Sequence, residues 1–295
     1  MTSTSLRPDR IGVLPAGSTR VAAVIGDPVG HSLSPILHNA GFQAAQLDWV
    51  YVAFPVAQGQ ASRALDAMAA LSFGGLSVTM PHKQAVAEAL GSSLSRAAAR
   101  LGAVNCVRWD GNALVGENTD GDGFIDALRQ ELGVDPAGAS VAVFGAGGAG
   151  RAVVAALADA GVERLVVINR DLARAQQAVT LGGQYASVGD QSVVGEMDII
   201  VNATSVGMGI HPIDQRGQPE LPFDPAALGP GHIVADLVYQ PARTGLLEAA
   251  ERAGARTLNG VGMLLYQAVR AFELWTGHAA PVPAMREAVE GYLLA

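Results

Sequence analysis

Residues 141–150 read Val-Ala-Val-Phe-Gly-Ala-Gly-Gly-Ala-Gly, and Arg151 follows them. Three of these glycines have the Gly-x-Gly-x-x-Gly spacing, between an apolar run typical of a strand and an Ala-rich run typical of a helix. Such glycines permit a tight turn, a close backbone approach to a pyrophosphate and close contact between helix and strand. The free N–H groups at the helix start favour phosphate. The stretch therefore predicts a dinucleotide-binding loop formed by Gly145, Ala146, Gly147, Gly148, Ala149 and Gly150.

Strand-like and helix-like runs alternate on both sides of this loop. The predicted strands are Val21–Ile25, Val50–Phe54, Leu76–Thr79, Val141–Phe144, Leu165–Ile168, Ile199–Val201 and Ile233–Asp236. The predicted helices between them are Pro35–Ala45, Ser62–Ala70, Asp122–Leu132, Ala149–Ala160, Leu172–Thr180 and Gly245–Ala253. Alternation with short connections indicates an α/β fold with a parallel sheet covered by helices on both faces.

Interruptions of this alternation divide the chain. A Gly- and Pro-containing stretch at 121–138 predicts a boundary, and after residue 258 the pattern changes to two helices, Val261–Trp275 and Val282–Leu293. We predict a flexible N-terminal extension (1–20), an α/β domain (21–121) and a Rossmann-type, doubly wound dinucleotide-binding domain (122–258). The C-terminal helices (259–295) are expected to pack back on the first domain.

The second predicted strand of the dinucleotide domain is followed by polar residues that bear on the choice of cofactor. An NAD site typically has Asp or Glu at this point to bind the ribose hydroxyls. This chain has Asn169 and Arg170 instead, followed by Asp171 and Arg174. The arginines favour the 2′-phosphate of NADP, whereas the Asp171 carboxylate would repel it. We therefore predict NADP and keep NAD as an alternative.

Composition excludes several classes of protein. The 295 residues are 49% hydrophobic and 16% charged, which indicates a globular chain. A net charge of −8 argues against nucleic-acid binding, and no apolar run is long enough to span a bilayer. The start of the chain does not resemble a secretory signal, and the single cysteine, Cys106, predicts a reducing, cytoplasmic location. The six histidines lack metal-ligand spacing, so we expect no metal.

Polar motifs follow the predicted strands of the first domain. Residues 25–35 read Ile-Gly-Asp-Pro-Val-Gly-His-Ser-Leu-Ser-Pro, residues 75–83 read Gly-Leu-Ser-Val-Thr-Met-Pro-His-Lys, and residues 116–121 read Gly-Glu-Asn-Thr-Asp-Gly, with Gly-Ala-Val-Asn at 102–105. Ligands of open α/β sheets bind outside the carboxyl ends of strands, where these loops should lie. The neutral hydrogen-bonding residues in them suit a polyhydroxylated molecule: Ser32, Ser34, Thr79 and Asn105. Lys83 and Asp120 supply a proton donor and a charge to hold it.

These motifs resemble those of the shikimate dehydrogenase family. Further matches lie at 201–208 (Val-Asn-Ala-Thr-Ser-Val-Gly-Met), 236–241 (Asp-Leu-Val-Tyr-Gln-Pro) and 259–267 (Asn-Gly-Val-Gly-Met-Leu-Leu-Tyr-Gln), so the resemblance covers nearly all of the chain after residue 20. It implies reversible, NADP-dependent reduction of 3-dehydroshikimate to shikimate in aromatic amino-acid biosynthesis. It also implies that the first domain, completed by the C-terminal helices, binds the substrate.

The resemblance assigns roles position by position. Lys83 and Asp120 resemble a catalytic pair. The residues that resemble substrate contacts are Ser32, Ser34, Thr79, Asn105, Tyr239 and Gln267. The residues that resemble cofactor contacts are the glycine loop, Asn169, Arg170, Arg174, Leu237 and Gly260. Two positions depart from the family pattern: Ser77 stands where Asn is frequent, and Asp171 where Thr or Ser is frequent.

Simpler interpretations remain open at this point. Ser34, before Pro35, has the sequence of a helix N-cap, and Asp120 could cap the helix that follows it. Lys83 could be a solvated residue at a helix start. The chain could also use quinate or an aminoshikimate with NAD, or be a metabolite sensor of the same fold. We expect a small-molecule substrate and a monomer or homodimer.

Overall fold

The computed structural model describes residues 14–209 and 220–294, and these ranges form two β-sheets. The strands of the first sheet are β1 (Arg20–Gly26), β2 (Trp49–Pro55), β3 (Gly75–Val78), β4 (Cys106–Asp110) and β5 (Ala113–Glu117). Their order is β2-β1-β3-β4-β5. β1 runs parallel to β2 and β3, whereas β4 runs antiparallel to β3 and β5. The parallel half was predicted.

The antiparallel hairpin of β4 and β5 was not predicted. Its two-residue loop is Gly111-Asn112, between the paired residues Asp110 and Ala113. Gly111 has φ +59°, a conformation that suits a tight hairpin and that glycine adopts without strain. The Asp-Gly dipeptide between two apolar runs was the local signal that the prediction overlooked.

The second sheet contains six parallel strands. They are β6 (Ser140–Phe144), β7 (Arg164–Ile168), β8 (Ala186–Val188), β9 (Ile199–Asn202), β10 (Ile233–Asp236) and β11 (Arg256–Leu258). Their order, β11-β10-β9-β6-β7-β8, is the doubly wound order in which β6 and β9 flank the point where the chain changes direction across the sheet. This confirms the predicted Rossmann-type architecture. The three-residue strands β8 and β11 are too short to have given a clear pattern.

Ten α-helices accompany the sheets within the described ranges. They are α1 (Ser34–Ala44), α2 (Ala61–Ala70), α3 (Lys83–Leu90), α4 (Arg96–Leu101), α5 (Asp120–Leu132), α6 (Gly148–Asp159), α7 (Leu172–Gly182), α8 (Gly245–Arg252), α9 (Gly260–Thr276) and α10 (Val282–Leu293). All but the short α3 and α4 were predicted to within about two residues. Each described helix is too short or too polar to cross a membrane.

Helix α5 lies between α6 of the second sheet and α9 of the C-terminal segment. Two of its glycines allow this close packing: a Cβ at Gly121 would lie 2.5 Å from the carbonyl oxygen of Ala152, and one at Gly123 would lie 2.6 Å from the backbone nitrogen of Gln267. The helix starts at Asp120, two residues earlier than predicted. Asp120 is therefore fixed where the two sheets approach each other.

The C-terminal helices pack on the first sheet, as predicted. The Trp275 indole covers Gly75 of β3, and its Nε1 donates to the carbonyl oxygen of Val107 at 3.0 Å. Helix α10 contacts α1. Of the predicted N-terminal extension, residues 1–13 lie outside the described residues. Ser18 and Thr19 both donate to the Asp48 carboxylate, and β1 begins at Arg20.

Candidate active site

Lys83 and Asp120 form an ion pair between the two sheets. Lys83 Nζ donates to Asp120 Oδ2 at 2.6 Å, and the two side chains are 25% and 11% exposed. Lys83 is the first residue of α3, directly after the loop that leaves β3, and Asp120 is the first residue of α5. The pair is therefore a charge-assisted hydrogen bond shielded from most solvent, and Lys83 is not the solvated residue of the simpler interpretation.

Asn105 holds the carboxylate of this pair in place. Its Nδ2 donates to Asp120 Oδ1 at 2.8 Å and to Thr119 Oγ1 at 3.0 Å, and its Oδ1 accepts the Thr119 N–H at 2.8 Å. Asn105 and Asp120 are both buried. Because each oxygen of Asp120 accepts one side-chain donor, the carboxylate has a fixed orientation toward Lys83.

Lys83 and Asp120 line a cavity of about 220 Å³. The predicted residues that line it are Ser32, Ser34, Thr79, Lys83, Asn105, Asp120, Ala149, Leu237, Tyr239, Gly260 and Gln267. All six predicted substrate contacts thus meet the predicted catalytic pair, although they come from distant parts of the chain. Most of the lining is hydroxyl, amide and apolar, which suits a small hydroxylated molecule.

The glycine loop has the close contacts that its spacing predicted. Gly145 has φ +102°, and a Cβ there would lie 2.7 Å from the carbonyl oxygen of Ala203. A Cβ at Gly150 would collide with the carbonyl oxygen of Gly145. Helix α6 starts at Gly148 with Gly147 as its N-cap, and no side chain caps it, so its first N–H groups remain available for a phosphate. These residues fit a dinucleotide.

A second cavity connects the glycine loop with the ion pair. It is lined by Ala146, Gly147, Gly148 and Arg174 on one side and by Lys83 and Asp120 on the other, among other residues. Lys83 and Asp120 therefore line both cavities and lie at their junction. A ligand on the glycine loop and a ligand in the first cavity would meet at this pair.

The residues after β7 have more varied positions. Asn169 Oδ1 accepts the Ala146 N–H at 3.2 Å, so Asn169 supports the glycine loop. Asp171 is the N-cap of α7, accepting the N–H groups of Ala173 and Arg174. Arg174 Nε lies 3.5 Å from Asp171 Oδ2 and lines the second cavity. Arg170 is exposed at the surface.

The capping interpretations of Ser34 and Asp120 are wrong. Ser34 is the first residue of α1, whose N-cap is Leu33, and Thr119 is the N-cap of α5; neither N-cap residue makes a side-chain capping bond. The Asp120 carboxylate is occupied by Lys83 and Asn105 instead. The polar oxygens of both residues thus face the site and not the helix termini.

Comparison with known proteins identifies the family. Profiles described as the shikimate dehydrogenase substrate binding domain, shikimate / quinate 5-dehydrogenase and the shikimate 5′-dehydrogenase C-terminal domain match residues 24–107, 127–216 and 260–290. The chain is 43% identical to shikimate dehydrogenase (NADP(+)) of Geobacter sulfurreducens, over 94% of this chain and 98% of the relative. The chain belongs to the shikimate dehydrogenase family.

Solved structures of the family have the same fold. Shikimate 5-dehydrogenase from Thermus thermophilus in complex with NADP(H) and shikimate is 34% identical, with a TM-score of 0.83, covering 92% of this chain and 99% of that one. Quinate dehydrogenase from Corynebacterium glutamicum in complex with NAD is 35% identical, with the same TM-score and coverage. Fold similarity alone therefore does not separate the two substrates or the two cofactors.

Several residues at this shikimate dehydrogenase-family site were not predicted. Met263 lines the first cavity and Arg151 lines the second, and Ser77, singled out in the sequence only as a departure from the family pattern, also lines the first. Arg151 follows the last glycine of the loop, a position in the first turn of α6 that could have marked it. Its Nη2 donates to the carbonyl oxygen of Leu101 at 2.8 Å, which ties α6 to the first sheet's half of the molecule.

A buried carboxylate, Asp236 at the end of β10, was also overlooked. It accepts from Asn202 Nδ2 at 2.8 Å and from Thr244 Oγ1 at 2.6 Å. Burial raises the pKa of Asp236, and these hydrogen bonds oppose the rise. The network fixes the loops after β9 and β10, where Leu237 enters the first cavity.

Proposed function

We propose that this chain catalyses the reversible, NADP-dependent reduction of 3-dehydroshikimate to shikimate, a step of aromatic amino-acid biosynthesis. The observation that carries the proposal is the position of Lys83 and Asp120 at the junction of the two cavities, 2.6 Å apart. There an acid–base group can face a substrate carbonyl while the dinucleotide lies along the glycine loop.

The bound cofactor supplies a hydride to the carbonyl carbon in the reductive direction. Lys83 holds the proton that the substrate oxygen takes up, and Asp120 orients Lys83 through their hydrogen bond. Asn105 keeps the carboxylate from rotating away. Ser32, Ser34 and the other predicted substrate contacts orient the ring, and Leu237 and Gly260, which line the same cavity, contact the cofactor near its nicotinamide.

Lys83 is also the only lysine in the sequence. The other 18 of the 19 Lys and Arg residues are arginines. Arginine stays protonated at all ordinary pH values and cannot take up and release a proton at this site. The presence of the single amine at the catalytic position supports its role as the proton donor and acceptor.

The second cavity supports NADP as the cofactor. Arg174 lines this cavity together with the glycine loop, where its guanidinium can pair with a 2′-phosphate. Its contact with Asp171 at 3.5 Å competes for the same guanidinium, so use of NAD remains the alternative. Ser77 in the first cavity similarly leaves quinate and aminoshikimate as alternative substrates.

Initial rates test this proposal. Reduction of NADP+ and NAD+ is followed at 340 nm with shikimate and with quinate, each at several concentrations. We expect shikimate with NADP+ to give the largest kcat/KM. A larger value for quinate or for NAD+ would replace the substrate or the cofactor in the proposal, and no oxidation of either substrate would favour the metabolite sensor.

Two further predictions concern the oligomeric state and the cellular location of the protein. Monomer or homodimer is the expected oligomeric state, and light scattering on the purified chain measures it. The cytoplasmic location predicted from the sequence stays a prediction.

A further inference from the structure

Tyr51, on β2, buries a phenol hydroxyl beside the substrate cavity. The residue is 2% exposed, and its hydroxyl has no hydrogen-bond partner among the residues that the structure describes. Burying a hydroxyl without a partner is costly, and such groups are rare in folded proteins. The mechanism proposed above does not use this hydroxyl, so its burial has no explanation there.

Neighbouring residues hold the Tyr51 ring in one position. The His38 ring stacks on it with centroids 4.4 Å apart, and His38 itself lies 4.9 Å from the Trp275 ring. Asn39 Oδ1 accepts the Tyr51 N–H at 2.8 Å, and Asn39 Nδ2 donates to the Tyr51 carbonyl oxygen at 2.9 Å. The Asn39 bonds fix the Tyr51 backbone, and the stacked, packed ring is buried in this position.

Tyr51 pairs with Ala22 of β1 and Ser77 pairs with Val24 of β1, so the side chains of Tyr51 and Ser77 lie on the same face of the first sheet. Burial raises the pKa of Tyr51, and the hydroxyls of Ser77 and Ser34 oppose this rise. The phenol is therefore neutral and can donate a proton in a hydrogen bond. Ser77 lies on β3 beside Val24 and Cys106, which belong to the same packed cluster as Tyr51. Ser34 and Ser77 both line the cavity around the ion pair, whereas Tyr51 lies behind them.

We infer that Tyr51 is a substrate-positioning residue, whose hydroxyl donates to Ser34 or Ser77 when that serine turns to donate to an oxygen of the bound substrate. The inference rests on the proposed function, because it requires a hydroxylated substrate in this cavity. A serine that accepts from Tyr51 is a better donor toward the substrate, since hydrogen bonds in a chain polarise one another. No covalent bond changes, and no proton leaves the tyrosine.

The test is Tyr51→Phe, which removes one oxygen and keeps the ring. We expect KM for shikimate to rise about 3- to 10-fold, the effect of losing one hydrogen bond, while kcat and KM for NADP+ stay within about 2-fold. Ser77→Ala should also raise KM. The effects of Tyr51→Phe and Ser77→Ala combined should be smaller than the product of the single effects, because both remove the same chain of hydrogen bonds.

Thermal melting separates positioning from a structural role. Without substrate, Tyr51→Phe should melt at or above the wild-type temperature, because an unpartnered buried hydroxyl is gone. The increase in melting temperature on adding shikimate should be smaller than for the wild type. Tyr292→Phe, at an exposed tyrosine of α10, is the matched control and should leave all of these values unchanged.

Two results would overturn the inference. An unchanged KM with a higher melting temperature would show an inert buried hydroxyl, and a lower melting temperature with equal losses toward shikimate and NADP+ would show a structural role. The proposed function fails separately, if the wild-type protein oxidises shikimate with neither nucleotide. If the wild type is active and Tyr51→Phe keeps its KM, only the inference about Tyr51 fails.

Discussion

The proposed cofactor side of the site is built mainly from backbone, and the proposed catalytic side is built from buried side chains. Around the glycine loop, the closest approaches involve the backbone of residues 145, 150 and 203, and Arg170 and Arg174 nearby are exposed. Around the ion pair, Lys83, Asn105 and Asp120 are connected by side-chain hydrogen bonds of 2.6–2.8 Å. The same cleft thus depends on chain conformation on one side and on chemical identity on the other.

This difference determines which substitutions each side tolerates. A backbone-built loop accepts any residue that leaves its φ angle and its close approaches unchanged, whereas a buried hydrogen-bonded pair loses its function when one group changes. We therefore expect conservative substitutions to be severe on the catalytic side, and steric substitutions to be severe at the loop. The four predictions that follow test this contrast.

Lys83→Met should have the largest effect. It removes the amine but keeps a side chain of similar length, so kcat should fall by about 10²- to 10⁴-fold, the usual contribution of a general acid–base group. Lys83→Arg should be almost as inactive, although it retains the positive charge beside Asp120, because a guanidinium does not release its proton. Steady-state rates with shikimate and NADP+ measure both variants.

Binding must be measured in the same proteins. Thermal shifts with shikimate and with NADP+ should show that both ligands still stabilise the two variants. Near-normal turnover of Lys83→Met with ligand affinity intact would remove Lys83 from the mechanism and would break the contrast between the two sides.

The cofactor side was the easier one to predict from sequence, for a physical reason. A glycine loop is local, so ten consecutive residues contain the strand, the turn and the helix start. The catalytic side unites residues 83, 105 and 120 with Tyr239 and Gln267, which only the tertiary fold brings together. Lys83, Asn105 and Asp120 were singled out because they lie in polar motifs around the predicted strands. Tyr239 and Gln267 were predicted only through resemblance to a family, because a single polar residue on a loop or helix has no pattern of its own.

Other features could not be predicted because they depend on contacts across the fold. The orientation of the Asp120 carboxylate depends on Asn105, and the position of the Tyr51 ring depends on its stacking with His38 of α1. Seven strands and the long helices, whose periodicity is local, were placed within a few residues, whereas the hairpin of β4 and β5 was missed. The short β8 and β11 are formed by pairing with neighbouring strands and have little pattern of their own.

Gly150→Ala tests the backbone side. Its methyl group would collide with the carbonyl oxygen of Gly145, so α6 and the loop must separate. We expect a lower melting temperature, because overpacking of this kind typically costs about 1–3 kcal/mol of stability. The affinity for NADP+ should fall about 30-fold, because a displaced loop N–H loses its hydrogen bond to a charged phosphate, worth about 1.5–3 kcal/mol. Binding is measured by titration of the nucleotide.

Gly291→Ala is the matched control, since it adds the same methyl group to an exposed glycine of a helix and meets no atom within 4 Å. It should retain wild-type affinity and stability. If Gly150→Ala bound NADP+ as tightly as this control, the close approach in the loop would not matter for the cofactor.

His38 tests how far the catalytic side depends on buried polar groups. Burial lowers the pKa of His38 from 6.5 to about 3. As the pH falls below 6.5, the unfolded chain takes up a proton on this histidine and the folded chain does not, so stability is lost until about pH 3. The free energy of unfolding should fall by about 1.4 kcal/mol per pH unit from this residue.

Urea denaturation at pH 7.5, 6.5, 5.5 and 4.5 measures that slope. His38→Gln should flatten it, because glutamine does not titrate, whereas His278→Gln, at an exposed histidine, should leave it unchanged. If the free energy of unfolding fell equally steeply with pH in the wild type and in His38→Gln, His38 would take up its proton in the folded protein as readily as in the unfolded chain.

Asp171→Ser should have the smallest effect, and it addresses the exposed edge of the cofactor side. Serine is also a good N-cap, so α7 should remain capped while the carboxylate beside Arg174 disappears. KM for NADP+ should fall about 2- to 5-fold, since an exposed charge acts weakly, and the gain should shrink at high salt. KM for NAD+ should change less, because NAD+ has no 2′-phosphate for the freed guanidinium to bind.

Asp224→Ser is the matched control. It replaces another capping aspartate by serine and should alter neither KM value. Equal decreases for both nucleotides would mean that Asp171 acts on the shared part of the cofactor, and that Arg174 does not select NADP.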